Sequence, residues 1–217
     1  MNSNNGELLE NLPFISAVRA FYKANENAGL SYHNWNHCLT TALRAVYLYD
    51  TDSIFEVNNV FIAGLFHDMG YNKYNERDSL NVIDACALFD QFYNQVLNDT
   101  LLDYHLSEQD IDCIHELILA TQFPHKHTDD LACQALQDAD LTQNWTRPVQ
   151  EIVYQLNEED YPNPSLDFPA NDLLNSQLAK SINTAVQKVK TNNLDFERFN
   201  QFYTYFMNQY KSYGLAD

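Results

Sequence analysis

Apolar residues recur at spacings of three and four along almost the whole chain, whereas alternating apolar and polar runs are nearly absent. The first pattern places apolar side chains on one face of an α-helix, and the second would be expected of half-buried strands. Only five glycines and six prolines occur in 217 residues, and outside a proline cluster at 162–169 they lie where helices are expected to end. The sequence therefore predicts an all-α fold, and its length predicts a single domain over residues 1–217.

Capping residues and breaks divide the periodic pattern into separate helices. Ser53 is expected to cap a central helix that ends at Gly70, because glycine suits the left-handed position after a helix. Ser107 and Asp110 have the spacing of a capping box. The predicted helices cover residues 13–27, 36–49, 54–69, 78–97, 107–121, 128–140 and about 149–157, and a C-terminal helical extension over about 170–213 adds 171–191 and 194–213.

The charge balance limits the partners of this chain. There are 12 basic and 30 acidic residues, which give a net charge of −18. Such a protein repels polyanions, so we expect no binding to duplex nucleic acid, and an anionic substrate must be small or be held by a cation.

The N-terminal residues lack a basic region followed by an apolar one, and no run approaches 18 apolar residues, which predicts a cytoplasmic protein that does not enter a membrane. The four cysteines lack CxxC spacing and are expected to be reduced core thiols.

His67 and Asp68 follow the most apolar helix of the chain. The preceding run 61–66 is apolar on every side, which predicts a buried central helix. A carboxylate at its end is costly to bury unless a cation or hydrogen-bond donors meet it, and that helix contains no Lys or Arg. Adjacent His and Asp side chains can offer two ligand types to one metal ion. The alternative is that His67 binds a local carbonyl group while Asp68 faces water.

Two further segments carry candidate ligands. His33 and His37 lie four residues apart at the start of a predicted helix, so both can approach one site, although a pair of surface histidines is the alternative. Asp140 continues an apolar stripe of its helix, which directs its carboxylate inward, and Asp138 is the competing carboxylate. The candidate metal ligands form a set of two imidazoles and two carboxylates: His37, His67, Asp68 and Asp140.

These segments resemble the HD-domain superfamily of metal-dependent phosphohydrolases, whose motif residues occur in the order H…HD…D. YHNWNH at 32–37 is similar to the YHNxxH motif of the cyclic-nucleotide phosphodiesterase branch and of short HD hydrolases. DLTQNWTRP at 140–148 is similar to the phosphodiesterase segment that begins with the last metal aspartate, and NERDS at 75–79 looks more like the short HD hydrolases. The resemblance covers about residues 30–160.

The resemblance implies an HD-type helical bundle in which the four candidate ligands bind a divalent metal and Asp68 can bridge to a second ion. It places His33 beside the metal, where an imidazole is a candidate acid for protonating the leaving oxygen. This chain has Tyr71 where the phosphodiesterase branch has a histidine, and Gln122 where that branch has an acidic residue. These departures leave the ligand set unchanged but bear on specificity for cyclic nucleotides.

Cations near the motifs are candidates to contact a phosphate group, with solvated surface cations as the alternative. Arg44 lies seven residues after His37 and therefore on nearly the same helical face. His115 lies on an apolar stripe and could serve a second metal or be a core histidine, and either His125 or His127 could reach the site from a loop. The predicted substrate-binding residues are Arg44, Lys73, Arg77 and Arg147, and the candidates for a second metal are His115 and His125.

The leading hypothesis is a metal-dependent phosphohydrolase or phosphodiesterase that uses a metal-activated water and acts on a small phosphorylated substrate. Aromatic residues that flank the motifs could stack on a base, which suggests a nucleotide. An HD-type di-iron oxygenase is a second hypothesis and would require extra histidine ligands. A non-catalytic helical binding or regulatory module with a structural metal is a third. Nitrogen and oxygen ligands accept Mn, Fe, Co, Ni, Zn or Mg, as one ion or two.

Overall fold

The computed structural model describes residues 12–24, 29–49, 53–71, 78–97, 105–122, 125–126, 128–141, 154–155 and 158–159. Within these ranges the chain forms helices joined by turns and contains no strand, which confirms the predicted all-α fold. The α-helices are α1 (Leu12–Lys23), α2 (Trp35–Leu48), α3 (Ile54–Phe66), α4 (Asp78–Phe92), α5 (Glu108–Ala120) and α6 (Leu131–Leu141). A short π-helical segment, Tyr93–Leu97, continues α4.

Capping side chains set where three of the helices begin. Asn34 precedes α2, and its side-chain oxygen accepts hydrogen bonds from two backbone N–H groups of the first turn. Ser53 caps α3 as predicted, and Ser107 and Asp110 form the predicted capping box of α5. Each cap satisfies N–H groups that have no partner inside the helix, so these helix starts are determined by local sequence.

Helix α3 ends at Phe66 rather than at the predicted Met69, and residues 67–70 form a turn. Gly70 does not adopt the left-handed conformation predicted for it. A Cβ atom on Gly70 would lie 2.1 Å from the carbonyl oxygen of Asn81 and 2.6 Å from the amide nitrogen of Ala85. Glycine is therefore required because the turn lies directly against the backbone of α4.

The core surrounds α3. The run Phe61–Phe66 is buried on all sides, as predicted for the central helix. Helix α3 packs against α2 and α5, α2 also packs against α6, and α4 packs against α5. Where α2 meets α3, a Cβ atom on Gly64 would lie 2.5 Å from the Cα atom of Ala42. The two backbones thus approach more closely than a larger residue at position 64 would permit.

Two other helices differ at their ends from the prediction. Helix α1 ends at Lys23, before the predicted end at Asn27. Helix α6 begins at Leu131 rather than near Thr128, because the Asp130 carboxylate accepts a hydrogen bond of 2.8 Å from a backbone N–H of the first turn. Both differences affect only helix ends, where local hydrogen bonds decide the boundary.

Some predictions fall on residues outside the described ranges. The proline-rich break and the helices at 171–191 and 194–213 lie there, and the single domain over 1–217 stays a prediction. Of the helix predicted up to residue 157, the described residues 154–155 are helical, and 158–159 are helical as well.

None of the described helices has the length and apolar character to cross a membrane. The four cysteines are free; Cys38 is buried and the other three are partly buried.

Replacing Gly64 with alanine tests the close contact between α2 and α3. Helix propensity alone favours alanine by about 1 kcal/mol, but the added Cβ would lie 2.5 Å from the Ala42 Cα. Because both contacting atoms belong to helices, we expect the free energy of unfolding to fall by about 1–3 kcal/mol in urea denaturation. Gly29→Ala is the control, since its Cβ would meet nothing within 4 Å. A Gly64→Ala protein as stable as the wild type would contradict this contact.

Candidate metal centre

Four side chains from three separate parts of the chain converge on one point. His37 lies in the first turn of α2, and Asp140 lies in the last turn of α6. His67 and Asp68 lie in the turn that follows α3. One ligand atom from each of the four residues lies within 4.8 Å of the others. The predicted ligand set therefore forms a single cluster, in which three of the residues are buried and Asp140 is partly buried.

The distances between these atoms suit one coordinated ion. His37 Nε2 lies 3.1 Å from His67 Nε2 and 2.7 Å from Asp68 Oδ2. Asp140 Oδ1 lies 3.3 Å from His37 Nε2 and 3.4 Å from His67 Nε2. Ligands held about 2.1 Å from a common ion lie about 3.0–3.4 Å from their neighbours in octahedral or tetrahedral shells. Three of the four distances match this range, and the 2.7 Å contact has the length of a hydrogen bond in the metal-free centre. The donor types fit as well, because imidazole nitrogen and carboxylate oxygen bind first-row divalent ions.

Local contacts orient the ligands toward this point. His67 Nδ1 lies 2.8 Å from the Gly64 carbonyl oxygen, which requires the tautomer with a proton on Nδ1 and leaves Nε2 to face the carboxylates. His67 therefore makes the local carbonyl contact that was the predicted alternative, and it also belongs to the four-residue cluster. The alternative in which Asp68 faces water is wrong, since this residue is only 6% exposed.

The carboxylates change the titration of the buried imidazoles in the metal-free protein. Burial lowers the pKa of His37, but hydrogen bonds to Asp140 and Asp68 outweigh this effect and raise the pKa to about 9. Burial also opposes protonation of His67, yet the Asp68 charge and hydrogen bonds to both carboxylates raise its pKa well above the usual value. Burial favours the neutral form of the two carboxyl groups, but the imidazoles hold their pKa values well below the usual range. In the metal-free centre the imidazoles and the carboxylates thus favour one another's charged forms.

His33 lies beside the four-residue cluster without belonging to it. Its Nε2 lies 4.0 Å from Asp68 Oδ2. The Tyr71 ring stacks on the imidazole, with ring centroids 3.6 Å apart and planes inclined by 6°. Tyr22 of α1 donates a hydrogen bond of 2.9 Å to the His33 carbonyl, and burial raises the pKa of its phenol, which keeps it a donor. His33 is therefore held with one ring nitrogen facing the centre.

Glu159 is a residue of this site that sequence analysis missed. Its Oε2 lies 2.5 Å from His33 Nδ1. Its Oε1 accepts hydrogen bonds from the backbone N–H groups of Tyr32 and His33, the latter over 3.0 Å. The Glu159 side chain is only 7% exposed. The ring contact joins residues 126 positions apart, and no local pattern distinguishes Glu159 from the neighbouring Glu158.

Asn81 is the second residue that sequence analysis missed. It lies in the first turns of α4, is 1% exposed, and donates a hydrogen bond of 2.9 Å from Nδ2 to Asp68 Oδ1. An asparagine near a helix start commonly interacts with local backbone, so the sequence around it does not indicate a contact with a residue of the preceding turn.

Other predicted site residues do not join the cluster. Arg44 is completely buried, and its contact with a substrate phosphate stays a prediction. His115 Nε2 lies 2.9 Å from Asp90 Oδ1, and neither His115 nor His125 belongs to the four-residue cluster. Among the described residues the centre therefore lacks the extra histidines that the oxygenase hypothesis requires. Asp138, the competitor of Asp140, is exposed. Lys73, Arg77, His127 and Arg147 lie outside the described residues.

No protein-family model matches this chain, and searches of the curated proteins and of the solved structures find no match either. The four clustered residues are consequently the basis for any functional proposal. They form a buried His/Asp cluster that could hold a metal ion, which is compatible with the HD-domain resemblance.

The shifted pKa values predict how pH affects the stability of the metal-free protein. The histidines have raised pKa values in the folded state, so their contribution is complete below about pH 6.5 and is lost as pH rises toward about 9. The carboxyl groups have lowered pKa values, so their contribution is present above about pH 4 and is lost at lower pH. In EDTA, we expect the free energy of unfolding to be greatest between about pH 4.5 and 6.5 and to decrease toward about pH 9.5.

Urea denaturation across this pH range at constant ionic strength measures the effect. The decline above about pH 6.5 should be shallower in His37→Asn, which removes one of the titrating groups. A bound divalent ion should also reduce the decline, because it takes the place of the protons on the imidazoles. Equal stability of the wild type at about pH 6 and about pH 9.5 in EDTA would contradict the raised histidine pKa values.

Proposed function

We propose that this protein is an HD-type metal-dependent phosphohydrolase or phosphodiesterase that acts on a small phosphorylated substrate, for which a nucleotide is our first candidate. One observation supports the proposal most directly. A buried cluster of two imidazoles and two carboxylates lies next to the His33 imidazole, and Glu159 binds the ring nitrogen of His33 that faces away from the cluster. A purely structural metal site would have no need of that neighbouring imidazole.

The ligand set would hold one divalent ion through His37, His67, Asp68 and Asp140, and a second ion through Asp68 is part of the proposal. Such an ion lowers the pKa of bound water toward 7 and offsets negative charge on a phosphoryl group. The net charge of −18 supports a small substrate, because an extended polyanion would be repelled by the rest of the surface.

His33 is the proposed general acid. The attacking water bonds to phosphorus and releases a proton to solvent, the bond between phosphorus and the leaving oxygen breaks, and His33 donates a proton from Nε2 to that oxygen and regains one from solvent afterwards. Glu159 Oε2 accepts the hydrogen bond of the Nδ1 proton, so the proton available for transfer is the one on Nε2, the nitrogen that faces Asp68. Tyr71 stacking restricts rotation of the ring out of this position.

The purified chain, loaded in turn with Mn, Fe, Co, Ni, Zn and Mg, tests the proposal. The substrates are cyclic nucleotides, nucleoside mono- and triphosphates and a generic phosphodiester. We expect hydrolysis of at least one class, with metal affinity lost in His67→Ala. His33→Ala should lower kcat by roughly 10²- to 10⁴-fold and leave metal affinity unchanged, because this imidazole is an acid and not a ligand. Metal binding without hydrolysis of any substrate would contradict the enzymatic proposal and favour a structural metal.

Glu159→Gln tests how His33 is oriented. Glutamine retains one oxygen that can accept the two backbone hydrogen bonds, but its NH₂ group cannot accept the hydrogen bond from His33 Nδ1 in the same orientation. We expect kcat to fall by roughly 10- to 100-fold while metal affinity is preserved. Glu158→Gln is the matched control because Glu158 is the exposed neighbour. Equal kcat values in the two variants would contradict an orienting role for Glu159.

A further inference from the structure

The Asn81 side chain is buried, and its two polar atoms have different environments. Nδ2 donates to Asp68 Oδ1 over 2.9 Å. The carbonyl oxygen of the same amide is buried and accepts no hydrogen bond from the part of the chain that the structure describes. The orientation of the amide follows from chemistry, since only its NH₂ group can donate to a carboxylate.

The two oxygens of Asp68 also have different contacts. Oδ2 lies 2.7 Å from His37 Nε2 and 3.1 Å from His67 Nε2, so it faces the metal centre. Oδ1 is the atom that Asn81 contacts. Rotation of the carboxylate about its bond to Cβ would break the Asn81 contact, so the amide determines which oxygen is presented to the centre.

The backbone reinforces this side-chain contact. Gly70 lies two residues after Asp68, and a Cβ atom on it would be 2.1 Å from the backbone carbonyl oxygen of Asn81. The turn that carries Asp68 therefore touches α4 at Asn81 through both main chain and side chain.

We propose that Asn81 is a positioning residue that fixes the Asp68 carboxylate for metal binding. The side-chain oxygen of Asn81 has no partner among the described residues, and a buried oxygen left in this way costs about 1–3 kcal/mol. The hydrogen bond that the Asn81 NH₂ group donates to Asp68 Oδ1 explains why an amide occupies this position. The inference deepens the proposed function, on which it rests only for the presence of a metal at this centre.

Metal affinity measured by calorimetry, with Mn²⁺ or Zn²⁺ alone as the probe, tests the proposal without requiring activity. Asn81→Ala removes the donor and leaves space, whereas Asn81→Leu removes the donor and fills the space. Asn59→Ala is the matched control: Asn59 is also buried, 6% exposed, and donates from Nδ2 to Asp110 Oδ1 over 2.9 Å, but this pair lies outside the ligand set. Urea denaturation in EDTA confirms that each variant folds.

We expect the metal Kd to rise about 10- to 100-fold in both Asn81 variants, because contacts to a ligand's second oxygen affect metal affinity by this amount. In Asn59→Ala the Kd should remain within about twofold of the wild type even if stability falls. An unchanged Kd in Asn81→Leu would overturn the proposal, and so would an equal rise in Asn59→Ala. If the wild type binds metal but hydrolyses nothing, the proposed function fails while the Kd shift still supports the role of Asn81. If the wild type binds no divalent ion, both fail.

Discussion

Asp68 is 6% exposed, and an unpaired charge at such a depth would cost several kcal/mol. Two imidazole nitrogens lie within 3.1 Å of one of its oxygens, and the Asn81 amide lies 2.9 Å from the other. These partners come from α2, from the turn after α3 and from α4. Because the charge is satisfied only when all three parts are in place, the stability of the bundle and the geometry of the metal centre depend on the same contacts.

Proton release and metal binding are linked at this centre. In the metal-free protein the carboxylates raise the pKa values of His37 and His67, and the imidazoles lower those of the two carboxyl groups. A divalent ion binds the neutral imidazole, so its affinity should rise with pH as the imidazoles lose their protons. The contacts that satisfy the buried charges without a metal are therefore the contacts that a bound ion would replace.

Most of the described helices and the ligand set could be predicted because their signals are local. An apolar helix precedes His67, a helix start precedes His37, and capping residues mark the beginnings of α3 and α5. Glu159 and Asn81 could not be found in this way, since their roles depend on contacts between distant segments that leave no periodic trace in one sequence. The burial of Arg44 could not be predicted either, because helical spacing indicates the face of a helix and not its depth in the core.

Glu159 makes the orientation of the proposed acid depend on a segment far along the chain. Its carboxylate accepts hydrogen bonds from two backbone N–H groups that precede α2 as well as from the His33 ring. Those N–H groups would otherwise need another acceptor, so the loop before α2 and the imidazole are held by one side chain. The four candidate ligands all lie on α2, α6 and the turn after α3. A displacement of the segment that carries Glu159 should therefore impair proton transfer before it impairs metal binding.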